Sequence, residues 1–257
     1  MKCWLIYNKN DALRNSVYID MYFKECEKLG IKLKLIFDDE INYHFDEKPD
    51  FCIFRAINPQ KTKELEEKGI LVFNNSMISE ICNDKRKTYD YIKSAGIEIM
   101  EIFSEENKEF PCVVKADAGR GGTEVFLARN QDEYNKINIK DKVIQRLCNN
   151  PGRDLRVYVI GNEIIASILR TSHTDFRSNY SLGGKAEVYP LNNEEKALVN
   201  RIISLFDFGL AGIDFIFHDG KIIFNEIEDV VGARMLYEKT DINLVEKYLK
   251  YMISELK

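Results

Sequence analysis

Three carboxylates, Asp214, Glu226 and Glu228, stand among strong strand formers in the run GIDFIFHDGKIIFNEIE. Side chains alternate across a strand, so a hairpin through this run puts all of them on one face of a sheet. With His218 to Gly220 as a three-residue loop, Phe217 pairs with Lys221, and Asp214 lies opposite Phe224 and diagonal to Glu226. A two-residue Asp-Gly turn would break that pairing. Like charges gathered on one face repel unless a cation sits between them, and one or two carboxylates plus substrate phosphates form a usual Mg²⁺ site, with Mn²⁺ the alternative. A solvated acidic sheet face is the other reading of the same spacing.

A second run, VVKADAGRGGT, ends an apolar strand on Lys115 and passes into a loop of Gly119, Arg120, Gly121, Gly122 and Thr123. Backbone N–H groups of such a loop can close on an anion while the ammonium supplies a point charge, which suits phosphate. It is not a Walker A loop, because no Gly-Lys-Ser or Gly-Lys-Thr follows; a glycine-rich hairpin with a surface lysine has the same appearance. Lys85 starts a helix behind Asn83 or Asp84, where most lysines are simply solvated. A third group contains Asp154, Arg156 and Arg170, then Asp175-Phe176-Arg177-Ser178-Asn179. Asp154 can accept from ribose hydroxyls, and Arg177 with Asn179 can hold phosphate oxygens.

The elements that must position these groups fall into three blocks, expected at residues 1–80, 81–147 and 148–257. In the first, CWLIY, IKLKLIF, FCIFRAI and LVFNN alternate with amphipathic segments, the pattern of a small parallel α/β sheet with helices on its faces. Gly30 and Gly69 fall at expected helix ends, and no GxGxxG follows the first strand. The second block opens on a helix ended by Gly96 and continues with strands IEIMEIF, CVVKA, TEVFLA and KVIQRL. The third holds a hairpin turning at Gly161-Asn162, a helix from Glu194 to Phe206, the acidic hairpin, and an end helix with Ile242, Val245, Leu249, Met252 and Leu256 on one face.

Of the 257 residues, 45% are apolar and 31% charged, with 5 prolines, a soluble globular composition with a core large enough for several units. No apolar run reaches the roughly 18 residues of a membrane span, and the chain opens directly into a strand, so a cytoplasmic location without membrane contact is expected. The net charge of -5 argues against a general nucleic-acid surface. Cys3, Cys26, Cys52, Cys82, Cys112 and Cys148 form no CxxC pair, which predicts free buried thiols, and His44, His173 and His218 lack zinc spacing. Arg55 and Arg234 are candidate carboxylate clamps, with ordinary surface arginines as the alternative.

From about Phe73 onward the ordered fragments VFNNSMISEICNDKRKTY, VVKADAGRGGTEV, VIQRL, GRDLRVYVIGNEIIASILR, DFRSN, GG, GIDF and NEIE resemble the ATP-grasp superfamily, in particular its RimK-like carboxylate-amine (glutamate) ligases. The resemblance implies an ATP-grasp fold of α/β and α+β units behind a preATP-grasp domain. It implies an amide or peptide bond made from a small-molecule or peptide carboxylate and an amine through an acyl phosphate, with release of ADP and phosphate. In its terms Lys85, Lys115 and the loop Gly119 to Thr123 contact ATP phosphates. Gln145, Arg146 and Leu147 surround adenine, and Asp154 takes ribose. Arg177 and Asn179 act with Lys115 at the transferred phosphate, while Asp214, Glu226 and Glu228 bind two Mg²⁺ ions. Arg146 replaces a frequent acidic residue, Glu228 replaces the usual Asn, and DVVGARML replaces a Ser-Pro-Gly run. The alternatives are a non-catalytic ATP-binding regulatory or scaffold domain and an ATP-grasp enzyme of another chemistry. Neither the identity of the substrates nor the oligomeric state follows from the sequence.

Overall fold

The computed structural model describes residues 1–119, 124–178 and 184–256. Its first segment runs β1 (Lys2–Tyr7), α1 (Lys9–Arg14), α2 (Ser16–Lys28), β2 (Lys32–Phe37), β3 (Phe51–Phe54), α3 (Pro59–Glu67) and β4 (Leu71–Phe73). All pairings are parallel in the order β2-β1-β3-β4, as the alternation of apolar runs with amphipathic segments requires. Gly30 and Gly69 do follow helix ends, with φ of 67° and 69°. A 3₁₀ turn at Ile41–Glu47 was not foreseen; its polar sequence reads as loop.

Next come α4 (Ser76–Cys82) and α5 (Lys85–Ser94), capped by Asn75 and Asp84, whose side chains accept from the Ile78 and Lys87 amides. A four-stranded antiparallel sheet follows, built from β5 (Ile102–Phe103), β6 (Cys112–Ala116), β7 (Val125–Ala128) and β8 (Lys142–Arg146) in the order β5-β8-β6-β7, with α6 (Gln131–Tyr134) before β8. The expected strand IEIMEIF shrinks to two residues, because Ile99 bridges to Phe224 in the neighbouring sheet instead.

The last segment holds β9 (Arg153–Ile160), β10 (Glu163–Thr171), β11 (Lys185–Val188), α7 (Asn193–Ile203), β12 (Leu210–His218), β13 (Lys221–Glu228), α8 (Arg234–Lys239) and α9 (Leu244–Glu255). Its strands order as β11-β10-β9-β12-β13. Hydrophobic packing fixes the layers. One face of this sheet and α9 pack against the first sheet through Tyr158, Leu210, Leu249, Leu5, Tyr22 and Phe51, while the other face packs under α5 and α7 through Leu155, Phe215, Tyr89, Ile92 and Val199. Val245, Leu249 and Met252 are buried, as the 3.6-residue period predicts.

Hydrogen bonds also tie the first sheet to the last. Asn74 donates to the Leu210 and Asp229 carbonyls and accepts from the Gly209 amide, and Arg55 donates to the Val231 carbonyl at 2.8 Å. Neither Arg55 nor its role is on the surface. Its guanidinium is 5% exposed, bonded also to the Tyr7 hydroxyl and stacked near Tyr18, so it is a structural strut with no free face for a substrate carboxylate.

Candidate functional site

The β12–β13 hairpin departs from the expected pairing in two places. Its turn has two residues, Asp219 and Gly220, both with positive φ, so His218 pairs with Lys221. That change by itself would send Glu226 to the opposite face. A β-bulge at Asn225 restores the phase: Phe215 pairs with Phe224, yet Asp214 pairs with Glu226 and Gly212 with Glu228. Asp214 is therefore opposite Glu226 and not Phe224, which joins the core beside Tyr89 and Phe215. Ligand oxygens of Asp214, Glu226 and Glu228 lie within 4.8 Å of one another.

Two guanidinium groups reach this cluster from β9 and β10. Arg156 donates from Nε and Nη2 to the two Asp214 oxygens at 2.7 and 2.6 Å, and its Nη2 lies 2.7 Å from Glu228 Oε1. Arg170 donates to Asp214 Oδ2 at 2.7 Å and makes a two-pronged pair with Asp154. Register explains both contacts: Arg156 sits directly opposite Asp214, and a bulge at Ile165 brings Arg170 opposite Asp154. Burial pushes the Asp214 carboxyl up, but Arg156 and Arg170 outweigh it and hold it down to about 2. Burial also pushes Glu228 up, against the pull of Arg156. Glu226 differs, since among the described residues its salt-bridge partner is Lys85 Nζ at 3.8 Å and its side chain keeps 32% exposure.

Across the cleft, Lys85 and Lys115 come from α5 and β6. Lys85 Nζ donates to the Gly119 carbonyl at 2.6 Å, so a helix-start lysine that reads as solvated is 9% exposed and holds the start of the glycine-rich loop. Lys115 Nζ donates to Asn225 Oδ1 at 2.7 Å and to the Tyr89 hydroxyl at 3.2 Å. Burial lowers its pKa to about 8, with the Glu226 charge working the other way.

Both lysines line a cavity of about 100 Å³ between the two antiparallel sheets, together with Gly119, Gln145, Leu147 and Asp154. Arg146, Arg177 and Glu226 also border it. Among the described residues, buried Gln145 Nε2 has no acceptor within hydrogen-bond distance. Arg146 turns its side chain toward Glu101 and Glu109, and Arg177 is held by Asp175 at 2.8 Å. The structure thus brings together Lys85, Lys115, Gly119, Gln145, Arg146, Leu147, Asp154 and Arg177 around one cavity, with the acidic face at its edge. Arg120, Gly121, Gly122, Thr123 and Asn179 lie outside the described residues.

Sequence reasoning missed Asn225 and Tyr89 as partners of Lys115, and it missed the pairing of Arg156 and Arg170 with the acids. Asn225 carries no signal in a run of strand formers. The arginine pairs follow only once the register of β9 against β12 is known.

A family model for the RimK-like ATP-grasp domain matches residues 82–252. The chain is 25% identical over 269 residues to the uncharacterized protein MG011 of Mycoplasma genitalium, covering all of this chain and 94% of that one. It is 26% identical over 229 residues to the glutamate–LysW ligase ArgX of Sulfurisphaera tokodaii, 79% of this chain and 81% of the other. Its fold matches the D-alanine–D-alanine ligase of Bacillus anthracis solved with ATP at a TM-score of 0.78 and 17% identity, over 100% and 97% of the two chains. With the acidic hairpin, the lysine pair and the cleft between two antiparallel sheets all in the matched span, the chain belongs to the RimK-like ATP-grasp family.

Proposed function

We propose that the protein is an ATP-dependent carboxylate-amine ligase, forming an amide or peptide bond through an acyl phosphate and releasing ADP and phosphate. The carrying observation is the convergence of Lys85, Lys115 and Glu226 on one cavity between sheets, with ammonium groups facing a carboxylate cluster. Family membership supports the reaction class. The working units are residues 1–80, 81–147 and 148–257, a division supported by the three separate sheets.

In this reading ATP lies in the cavity, its phosphates toward Lys85, Lys115 and the loop Gly119 to Thr123. Gln145 Nε2, without an acceptor in reach among the described residues, donates to the nucleotide base, and the backbone of Arg146 and Leu147 borders it. Asp154 serves the ribose with whatever acceptor capacity Arg170 leaves it, and Arg177 with Asn179 meets the transferred phosphate. Catalysis of such transfer is mainly positioning and charge stabilisation, which fixed cations supply.

An oxygen-only donor set with ligand atoms within 4.8 Å of one another fits Mg²⁺ or Mn²⁺. Glu226 would be the leading ligand with Glu228 beside it, and Asp214, both of whose oxygens are bonded to guanidinium, would share those oxygens with the ion. A bound divalent ion supplies charge neutralisation for the phosphate oxygens. Carboxylate and amine substrates complete the reaction. No helix among the described residues is long and apolar enough to cross a membrane, and a cytoplasmic setting is supported by six free buried cysteines.

The test is interception. Purified protein with ATP, Mg²⁺, pooled carboxylic acids and hydroxylamine is expected to give acid-dependent ADP, phosphate and hydroxamate. AMP and pyrophosphate as the stoichiometric products would refute an acyl phosphate.

A further inference from the structure

Two cavities of opposite charge flank Glu228. One, of about 220 Å³, carries Glu226, Glu228 and Asp229 against Lys85. The other, of about 670 Å³, lies between the α1–α2 elbow and α8 and carries Arg14, Arg156, Arg170 and Arg234 against Glu228 and Glu238. Within the second, Arg156 and Arg170 are already neutralised by the buried acids. Arg234 stands in the first turn of α8, exposed, and among the described residues no carboxylate forms a salt bridge with it. Arg14 is 79% exposed at the opposite rim, and among the described residues it pairs with Asp11 alone, at 3.9 Å. Between these ends the wall is apolar, formed by Val17, Met21, Met235 and the rings of Tyr18 and Tyr237. Val17 is 74% exposed, an aliphatic side chain facing water at the mouth of a cavity.

Resting on the ligase reading, we propose that this cavity binds the acid substrate, and that the acid is one with a second carboxylate separated from the reacting one by an apolar chain. The reacting carboxylate sits at the inner end by Arg170, which borders both this cavity and the ATP cavity. The second carboxylate meets Arg234 and Arg14 at the rim, and the spacer covers Val17, Met21 and Met235. An ammonium-bearing amine is repelled by the rim guanidinium groups of Arg14 and Arg234 and favours the acidic cavity on the other side of Glu228. Burying the spacer contributes by the hydrophobic effect, and the rim contact is a charge-assisted hydrogen bond to guanidinium. Arg234 and Val17 are thus specificity residues, and the DVVGARML segment supplies one of them.

The experiment uses the full chain with ATP, Mg²⁺ and hydroxylamine, offering linear α,ω-dicarboxylates and the monocarboxylates of equal length. Hydroxamate formation is measured alongside calorimetric binding in the presence of ADP. Diacids are expected to show a KM on the order of 10-fold or more below matched monoacids, falling as the methylene spacer lengthens toward an optimum. Arg234→Gln should abolish that preference while KM for ATP stays in place, and Val17→Asp, an exposed change that the fold tolerates, should raise KM for the diacid. Turnover of both classes with equal KM, or an Arg234→Gln variant that keeps the preference, overturns the assignment and leaves the ligase reading standing. Diacid binding without acyl transfer to hydroxylamine supports the cavity and refutes the ligase reading. Neither binding nor turnover with either class overturns the diacid assignment, and the interception with pooled acids then decides the ligase reading separately.

Discussion

Replacing Lys115 by Met is expected to abolish turnover and, at neutral pH, to remove a built-in cost to stability. Lys115 is 7% exposed, and its pKa falls from the ordinary 10.5 to about 8 because burial disfavours the ammonium. An unfolded chain holds the proton more tightly than the folded one, so the penalty is fully present below the folded value and is relieved as pH rises from about 8 toward 10.5. Those two values correspond to about 3 kcal/mol at neutral pH, most of which is recovered between about pH 7 and about pH 10. Met also loses the bonds to Asn225 and Tyr89, worth roughly 1 kcal/mol each. That loss hardly changes with pH, so the pH dependence isolates the titration. Urea unfolding of both proteins across the range reads the stability difference, which should move by about 2–3 kcal/mol in favour of the wild type as pH rises. A difference that stays constant, or that moves in favour of Met, would show that Lys115 titrates at its ordinary value and that burial is not what shifts it.

Glu226→Gln should lower steady-state ADP formation on the order of 100-fold, since it removes the carboxylate least engaged by guanidinium; turnover near the wild-type rate in saturating Mg²⁺ would refute its assignment. Asn225→Asp puts a carboxylate beside the Lys115 ammonium and should move the alkaline limb of the pH–rate profile upward, whereas Asn225→Leu should move it downward; identical limbs would discount the 2.7 Å contact. Gly161→Ala places a Cβ 2.5 Å from Tyr251 Cε2 at a φ of +54° and is expected to cost about 1–3 kcal/mol, read as a lower denaturation midpoint.

Much of the architecture was legible because period is legible. Short apolar runs such as CWLIY, FCIFRAI and GIDFIFH set between amphipathic or polar segments announce strands, and Asp84 before KRKTYDYIKS announces a helix start. The common face of Asp214, Glu226 and Glu228 was found by a pairing that the structure corrects at both the turn and the bulge. The Asp-Gly turn stood in the sequence as the alternative, whereas the bulge left no mark, because a single extra residue looks the same wherever it falls among Ile, Phe and Asn. Arg55 is the opposite case. Charge predicts exposure, yet a ring of tyrosines and the Val231 carbonyl satisfy it in the interior. Short elements such as α8 and β11 lie below the length at which periodicity carries information.

In a regular strand each residue has a neighbour looking the other way, so one face receives only every second position of the sequence. At Asn225 the β13 backbone breaks that rule, and Asn225 and Glu226, consecutive in the chain, both border the two cavities that meet here. A short polypeptide segment thereby addresses the cleft twice, once with a neutral carboxamide that orients an ammonium and once with a free carboxylate. Removing Asn225 would leave a straighter ladder in which Asp214 still faces Glu226, so what the added residue contributes is density: two chemically different groups within one step of the chain, at the one point where both are in reach of Lys115 and Lys85.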